Sequence, residues 1–110
     1  MGIKFLKTDD EDLLEDLISS SKDQPVIIFK HSNSCPISAA AYREMEQVDN
    51  DVRLVDVQRS REVSREIADL TGVRHESPQV IVLRNGKAVW NASHFDVTAS
   101  AVADAVQANS

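Results

Sequence analysis

A single cysteine, Cys35, stands immediately before a proline in the stretch Lys30-His31-Ser32-Asn33-Ser34-Cys35-Pro36-Ile37-Ser38. Proline suits the first position of a helix, where its missing N–H costs nothing and its fixed φ is already helical. Cys35 is then the N-cap, so its sulfur can face the unpaired N–H groups of Ile37 and Ser38 and the positive end of the helix dipole. Those donors stabilise a thiolate, which is the nucleophilic form of cysteine. The alternative is a small buried hydrophobe, as many free cysteines are. The strand–loop–Cys-Pro–helix context favours the reactive thiol. Ser38 sits one turn into the helix, where its hydroxyl can donate to the thiolate or simply be an ordinary first-turn polar group. It also occupies the place of the second cysteine in a C-x-x-C pair. A mixed disulfide on Cys35 must therefore await an outside thiol.

A strand has to deliver this loop. Residues 25–30 read as that strand, and within it Val26 to Phe29 is a continuous β-branched and aromatic run, as expected for a strand buried on both faces. The helix that follows spans residues 36–48, with Ile37, Ala41, Met45 and Val48 on one stripe. Asn50-Asp51 breaks it, and residues 52–57 read as the next strand, which completes a right-handed parallel βαβ unit.

Upstream, residues 3–6 suit a short edge strand, and Thr8 with Glu11 has capping-box spacing before a helix whose inner face is Leu13, Leu14, Leu17 and Ile18. Downstream, residues 61–71 form a helix with Val63, Ile67 and Leu70 inward and Gly72 at its C-terminal end. Residues 79–84 and 87–91 are strands joined by Asn85-Gly86, a strong hairpin signal. Asp96 or Thr98 can cap a last helix running to about Ala108. The order β-α-β-α-β-α-β-β-α, in a single mixed sheet with helices on both faces, is that of the thioredoxin-like fold and makes residues 1–110 one α/β domain. Cys35 then lies at the carboxyl end of a central strand, where open α/β sheets place their sites. In this layout Ser77-Pro78 is expected to be a cis-proline beside the cysteine, with Ser77 offering backbone groups to an extended substrate.

Composition sets the outer bounds. A chain of 110 residues can bury roughly two-thirds of its unfolded surface without disulfide or metal support. One cysteine cannot form an internal disulfide, and no Cys/His spacing resembles a zinc site. The N-terminus meets charge by residue 7, with no signal-peptide core, and no apolar run approaches a membrane span. A cytoplasmic, reducing setting is expected. The formal net charge of −6 disfavours non-specific nucleic-acid binding.

The chain resembles the monothiol bacilliredoxins, thioredoxin-fold proteins of bacteria that use bacillithiol in place of glutathione. The resemblance rests on the K-H-S loop ending in Cys35-Pro36-Ile37-Ser38, and on Val57-Gln58, Val63-Ser64 and Thr71-Gly72-Val73. It continues through His75-Glu76-Ser77-Pro78-Gln79, Ser93-His94-Phe95 and Val97-Thr98. Ser34 stands where threonine is usual, and Phe95 where tryptophan is common. The resemblance implies that Cys35 takes bacillithiol from a bacillithiolated cytosolic protein and is regenerated by a second bacillithiol or another bacilliredoxin. No bound cofactor, metal, nucleic acid or membrane is expected; bacillithiol is the co-substrate.

The expected catalytic set is Cys35, Pro36 and Ser38, with Lys30, His31, Asn33, Ser34, Ser77 and Pro78 contacting the thiol or client. Lys30 either attracts a carboxylate of the small thiol or is a solvated strand-end lysine. His31 either serves the thiolate or client, or is a loop histidine without chemistry. His75 is expected to pack the loop before Pro78. Ser93, His94 and Asp96 fall where glutaredoxin-like folds meet the ligand's carboxyl end. Two other functions remain open: a glutaredoxin-like [2Fe–2S] carrier, against which Pro36 replaces the glycine of C-G-F-S, and a non-catalytic thioredoxin-like adaptor.

Overall fold

The computed structural model describes residues 5–7, 12–32, 36–59 and 61–110. Within them the chain runs β1 (Phe5–Lys7), α1 (Asp12–Ser20), β2 (Val26–His31), α2 (Pro36–Glu46), β3 (Val52–Asp56), α3 (Arg61–Thr71), β4 (Gln79–Arg84), β5 (Lys87–Ser93) and α4 (Ala99–Ala108). A 3₁₀ turn at His94–Asp96 precedes α4. The five strands form one sheet in the order β1-β3-β2-β4-β5. β1 and β2 both run parallel to β3, while β4 is antiparallel to β2 and β5 to β4. This is the thioredoxin-like arrangement, and β2 lies at its centre.

Every residue of β2 is buried, and its alternation divides the core in two. Val26 and Ile28 face a cluster with Leu17 of α1, Val55, Val63 and Ile67 of α3, and Ile81 and Leu83. Ile27 and Phe29 face the other way, into Ala41 and Met45 of α2, Val80 and Val102 of α4. The same alternation sends Lys30 to the α3 side and His31 to the α2 side.

Element ends follow local chemistry. Asn85 (φ 56°) and Gly86 (φ 74°) both take positive φ, as a two-residue turn between right-twisted strands demands. Ser21 ties this turn to α1: Gly86 N–H donates to Ser21 Oγ (2.8 Å) and Asn85 N–H to Ser21 O (2.8 Å). Thr98, rather than Asp96, caps α4, its hydroxyl accepting from Ala101 N–H. Glu44 Oε1 of α2 accepts from Ala99 N–H at 2.9 Å, so two helices share that end.

Several boundaries differ from expectation. β1 runs on to Lys7 rather than ending at Leu6, and β2 spans Val26–His31 rather than residues 25–30, which places His31 in the strand and not in the loop. Leu70, expected on the inner face of α3, is exposed. α2 stops at Glu46, and the next two residues close with i→i−3 bonds, Gln47 to Glu44 O and Val48 to Met45 O; Val48 stays buried all the same. β3 ends at Asp56, whose carboxylate accepts from Gln58 N–H and Arg59 N–H and turns the chain. β5 extends to Ser93 because a bulge between the Val82–Trp90 and Leu83–Ala88 pairs adds Val89, and pairing continues to Gln79–Ser93. The proposed edge-strand residues Ile3 and Lys4 and the capping box Thr8/Glu11 lie outside the described residues.

Candidate functional site

Cys35, Asn33 and Ser34 lie outside the described residues, but both ends of their loop are defined. β2 delivers His31 and Ser32 on one side, and Pro36 opens α2 on the other. Ser38 is fully buried, and its Oγ accepts from the Ser32 N–H at 3.4 Å. This long bond spans the base of the loop using an oxygen lone pair. It leaves the Ser38 hydroxyl proton available to a second acceptor. Pro36 is exposed and Ile37 half-buried, so the first turn of α2 opens towards solvent above a buried Ser38.

On the α2 side, His31 packs its ring 5.2 Å from Tyr42 and 5.6 Å from Phe29, centroid to centroid. Burial lowers its pKa below the ordinary histidine value, and the nearby Asp56 carboxylate pulls the other way. His31 and Asp56 are register partners in the parallel β2–β3 pair. A 590 Å³ open cavity lies beside them, lined by Ser32, Tyr42, Arg43 and Glu46 among others.

On the α3 side, Lys30 is not a solvated lysine: it is fully buried. Its Nζ lies 3.3 Å from His75 Nδ1, and Ser64 Oγ of α3 lies 3.0 Å from the same nitrogen. Burial alone lowers the Lys30 pKa to about 8. His75 is lowered first by burial and then by the Lys30 charge, with Glu76 opposing. The His75 ring thus packs the loop before Pro78, and it does so onto a buried ammonium.

The Ser77–Pro78 peptide is cis, as the layout predicts. Pro78 is buried, and its carbonyl accepts from His94 N–H at 2.9 Å, which holds the 3₁₀ turn against it. Gln79, the register partner of Lys30, donates through Nε2 to Arg74 O at 2.9 Å. Two buried atoms here, Ser77 Oγ and Gln79 Oε1, have no hydrogen-bond partner. Phe95 projects from the turn with 76% of its surface exposed.

Among the described residues, no three His, Cys, Asp or Glu side chains converge to hold a metal ion, and no helix is long and apolar enough to cross a membrane. Sequence reasoning missed Ser64, Tyr42 and Gln79. A usable signal was the strand period: a strand buried on both faces that carries Val26 and Ile28 on one side must bury Lys30 there too.

Comparison with known proteins gives the family. The profile of the monothiol bacilliredoxin BrxC family matches residues 6–102. A solved structure described as a candidate oxidoreductase with a thioredoxin fold superposes with a TM-score of 0.83 at 38% identity, covering 93% of each chain. Fasciola hepatica thioredoxin has the same fold at 14% identity, with a TM-score of 0.74 and coverage of 96% of this chain and 99% of that one. Schistosoma mansoni thioredoxin pre-protein likewise shares it at 19% identity, with a TM-score of 0.71 and coverage of 98% and 100%. These likenesses make the chain a thioredoxin-fold thiol oxidoreductase.

Proposed function

The chain belongs to the monothiol bacilliredoxin family, and from that premise we propose that it strips bacillithiol from bacillithiolated cytoplasmic proteins, with Cys35 as nucleophile. The Cys35 thiolate attacks the bacillithiol sulfur of the client's mixed disulfide. A Cys35–bacillithiol disulfide forms, and the client leaves as a thiolate. A second bacillithiol thiolate, or another bacilliredoxin, then attacks the bacillithiol sulfur on Cys35 and expels Cys35 as thiolate. Each step exchanges one S–S bond for another, so electrons balance without a bound cofactor.

The observation that carries this reading is Ser38: a buried hydroxyl in the place of a resolving cysteine, in a chain whose only cysteine is Cys35. Its proton is available to stabilise the thiolate, and it cannot resolve the mixed disulfide. Low thiol pKa helps mainly in the second step. Dropping a thiol from pKa ~8.5 to ~6 raises its thiolate fraction about 13-fold at pH ~7.4, but the loss of intrinsic nucleophilicity is about as large. As a leaving group, however, Cys35 gains directly from a stabilised thiolate. Ser77 and Pro78 offer the extended backbone a client segment can line up against.

The test is intact mass after separate incubation with bacillithiol disulfide and glutathione disulfide. One bacillithiol per chain is expected on wild type and none on Cys35→Ala. Equal loading from both disulfides would contradict bacillithiol specificity, and no loading from either would leave a non-catalytic adaptor.

A further inference from the structure

On the described surface of this acidic chain, net −6, the charged lining of one cavity beside α3 is basic. The cavity measures 330 Å³ and is lined by Val57, Arg61, Ser64, Arg65, Ala68 and His75. Arg61 and Arg65 are four apart on α3 and therefore neighbours on one helix face, where both line the cavity. Behind the wall formed by Ser64 and His75 sits the Lys30 ammonium, fully buried and touching His75 Nδ1. Among the described residues no carboxylate pairs with Lys30, and the polar atom that its Nζ meets is His75 Nδ1. A buried charge without a counter-charge is costly, whereas Lys22 and Lys87 are exposed.

These two observations are independent, and together they concentrate positive charge at one place. Two guanidinium forks can each take a carboxylate bidentately, which selects a ligand with two carboxylates over one with a single charge. The cavity volume lies at the small end of ligand sites, enough for one end of a molecule rather than the whole. Its position is tied to the described segments that flank the Cys35 loop and Pro78. Val57, in its lining, donates its N–H to His31 O at 3.0 Å, and His31 is the strand residue from which the Cys35 loop departs. His75, in the opposite wall, leads through Glu76 into Ser77-Pro78.

We propose that this cavity seats the dicarboxylate end of the low-molecular-weight thiol that loads and regenerates Cys35, with Arg61 and Arg65 as the direct contacts and Lys30 as the buried counter-charge. The assignment rests on the thiol-transfer reading above and deepens it. Bacillithiol carries a malyl group with two carboxylates at the end opposite its thiol, so the charge pattern fits the expected co-substrate.

The experiment uses the full chain preloaded as the Cys35 mixed disulfide with 2-mercaptoethanol, whose adduct carries no carboxylate and leaves the cavity open to the incoming thiol. Its reduction is timed with bacillithiol and, separately, with 2-mercaptoethanol, which has no carboxylate. For wild type against Arg61→Gln/Arg65→Gln, the ratio of the bacillithiol rate to the 2-mercaptoethanol rate should fall about tenfold or more. Malate alone, titrated onto the reduced protein by NMR, should shift the amides of residues 61–68 and His75 in wild type and not in the double variant. Glu62→Gln, one position away on α3, should retain both responses. An unchanged rate ratio, or malate shifts that survive the double substitution, would overturn the subsite. Either result would leave de-thiolation standing, because that reading fails only if Cys35→Ala still accepts bacillithiol.

Discussion

Lys30 Nζ lies 3.3 Å from His75 Nδ1, in a strand position with no exposure to solvent. Nδ1 has one lone pair, so while Lys30 is an ammonium it donates and His75 accepts. The His75 ring proton is then on Nε2, and Ser64 Oγ, 3.0 Å from the same Nδ1, shares that acceptor. The loop that leads to cis-Pro78 is thereby fixed to α3 and to the central strand through one neutral imidazole.

Lys30→Met should raise stability at neutral pH. The lysine titrates near 10.5 when unfolded and about 8 when folded. Below pH ~8 both states are charged and the folded state carries the burial cost, on the order of 1–3 kcal/mol. Between about 8 and 10.5 the unfolded chain holds a proton the folded one has released, so wild-type stability climbs with pH. Urea unfolding at pH 7 and pH 9.5 should show the variant ahead at pH 7 and the gap narrowing at pH 9.5. A variant less stable than wild type at pH 7 would mean the ammonium is well satisfied where it sits.

The ring protons of His31 and His75, followed by NMR, should titrate below 6.5, since burial lowers both. As pH falls through 6.5 the unfolded chain takes up these protons before the folded one, so stability should decline on the acid side. Lys30→Met should move the His75 midpoint upward and leave His31 nearly unchanged. A His75 midpoint indifferent to Lys30 would break the link between them.

Gly86→Ala should destabilise the hairpin end. Gly86 has φ +74°, and an added Cβ would meet Ile18 Cγ2 at 3.3 Å. The left-handed backbone costs about 1 kcal/mol, and the close contact adds to it. Thermal melts should show a Tm several degrees lower, with activity retained at temperatures where the variant is folded. No change in Tm would mean the turn relaxes freely.

Ser38→Ala removes the acceptor of the Ser32 N–H and the proton available to Cys35. The thiol pKa should rise by roughly 0.5–1 unit, read from thiolate absorbance. Attack on a client should change less than about threefold, whereas release of Cys35 as leaving group should slow more clearly. Stability should fall by about 1 kcal/mol. An unchanged pKa with both half-reactions intact would leave the thiolate to the backbone amides alone.

Much of this fold is written locally. The Val26–Phe29 run, the Asn85-Gly86 turn, Gly72 behind α3 and the Pro36 start of α2 each carry their own stereochemical reason, and the structure places each as expected. Lys30 is different. Its environment is made by Ser64 and His75, residues 34 and 45 positions away along the chain, and no local pattern announces such a meeting. The bulge at Val89 and the 3₁₀ turn at His94 were equally silent, because both adjust how β5 ends against β4 and α2 rather than any propensity of their own. Arg61 and Arg65 read as ordinary helix-surface charges until His75 closes the cavity beside them.

The central claim is that Cys35 alone carries bacillithiol between client and reductant. It is tested most directly by single-turnover de-thiolation of a bacillithiolated client, followed by intact mass of both proteins. Wild type should free the client and gain one bacillithiol in equal amount, and the adduct should clear on adding reduced bacillithiol. Cys35→Ala should do neither. Equal rates of client release with wild type and Cys35→Ala would contradict the account.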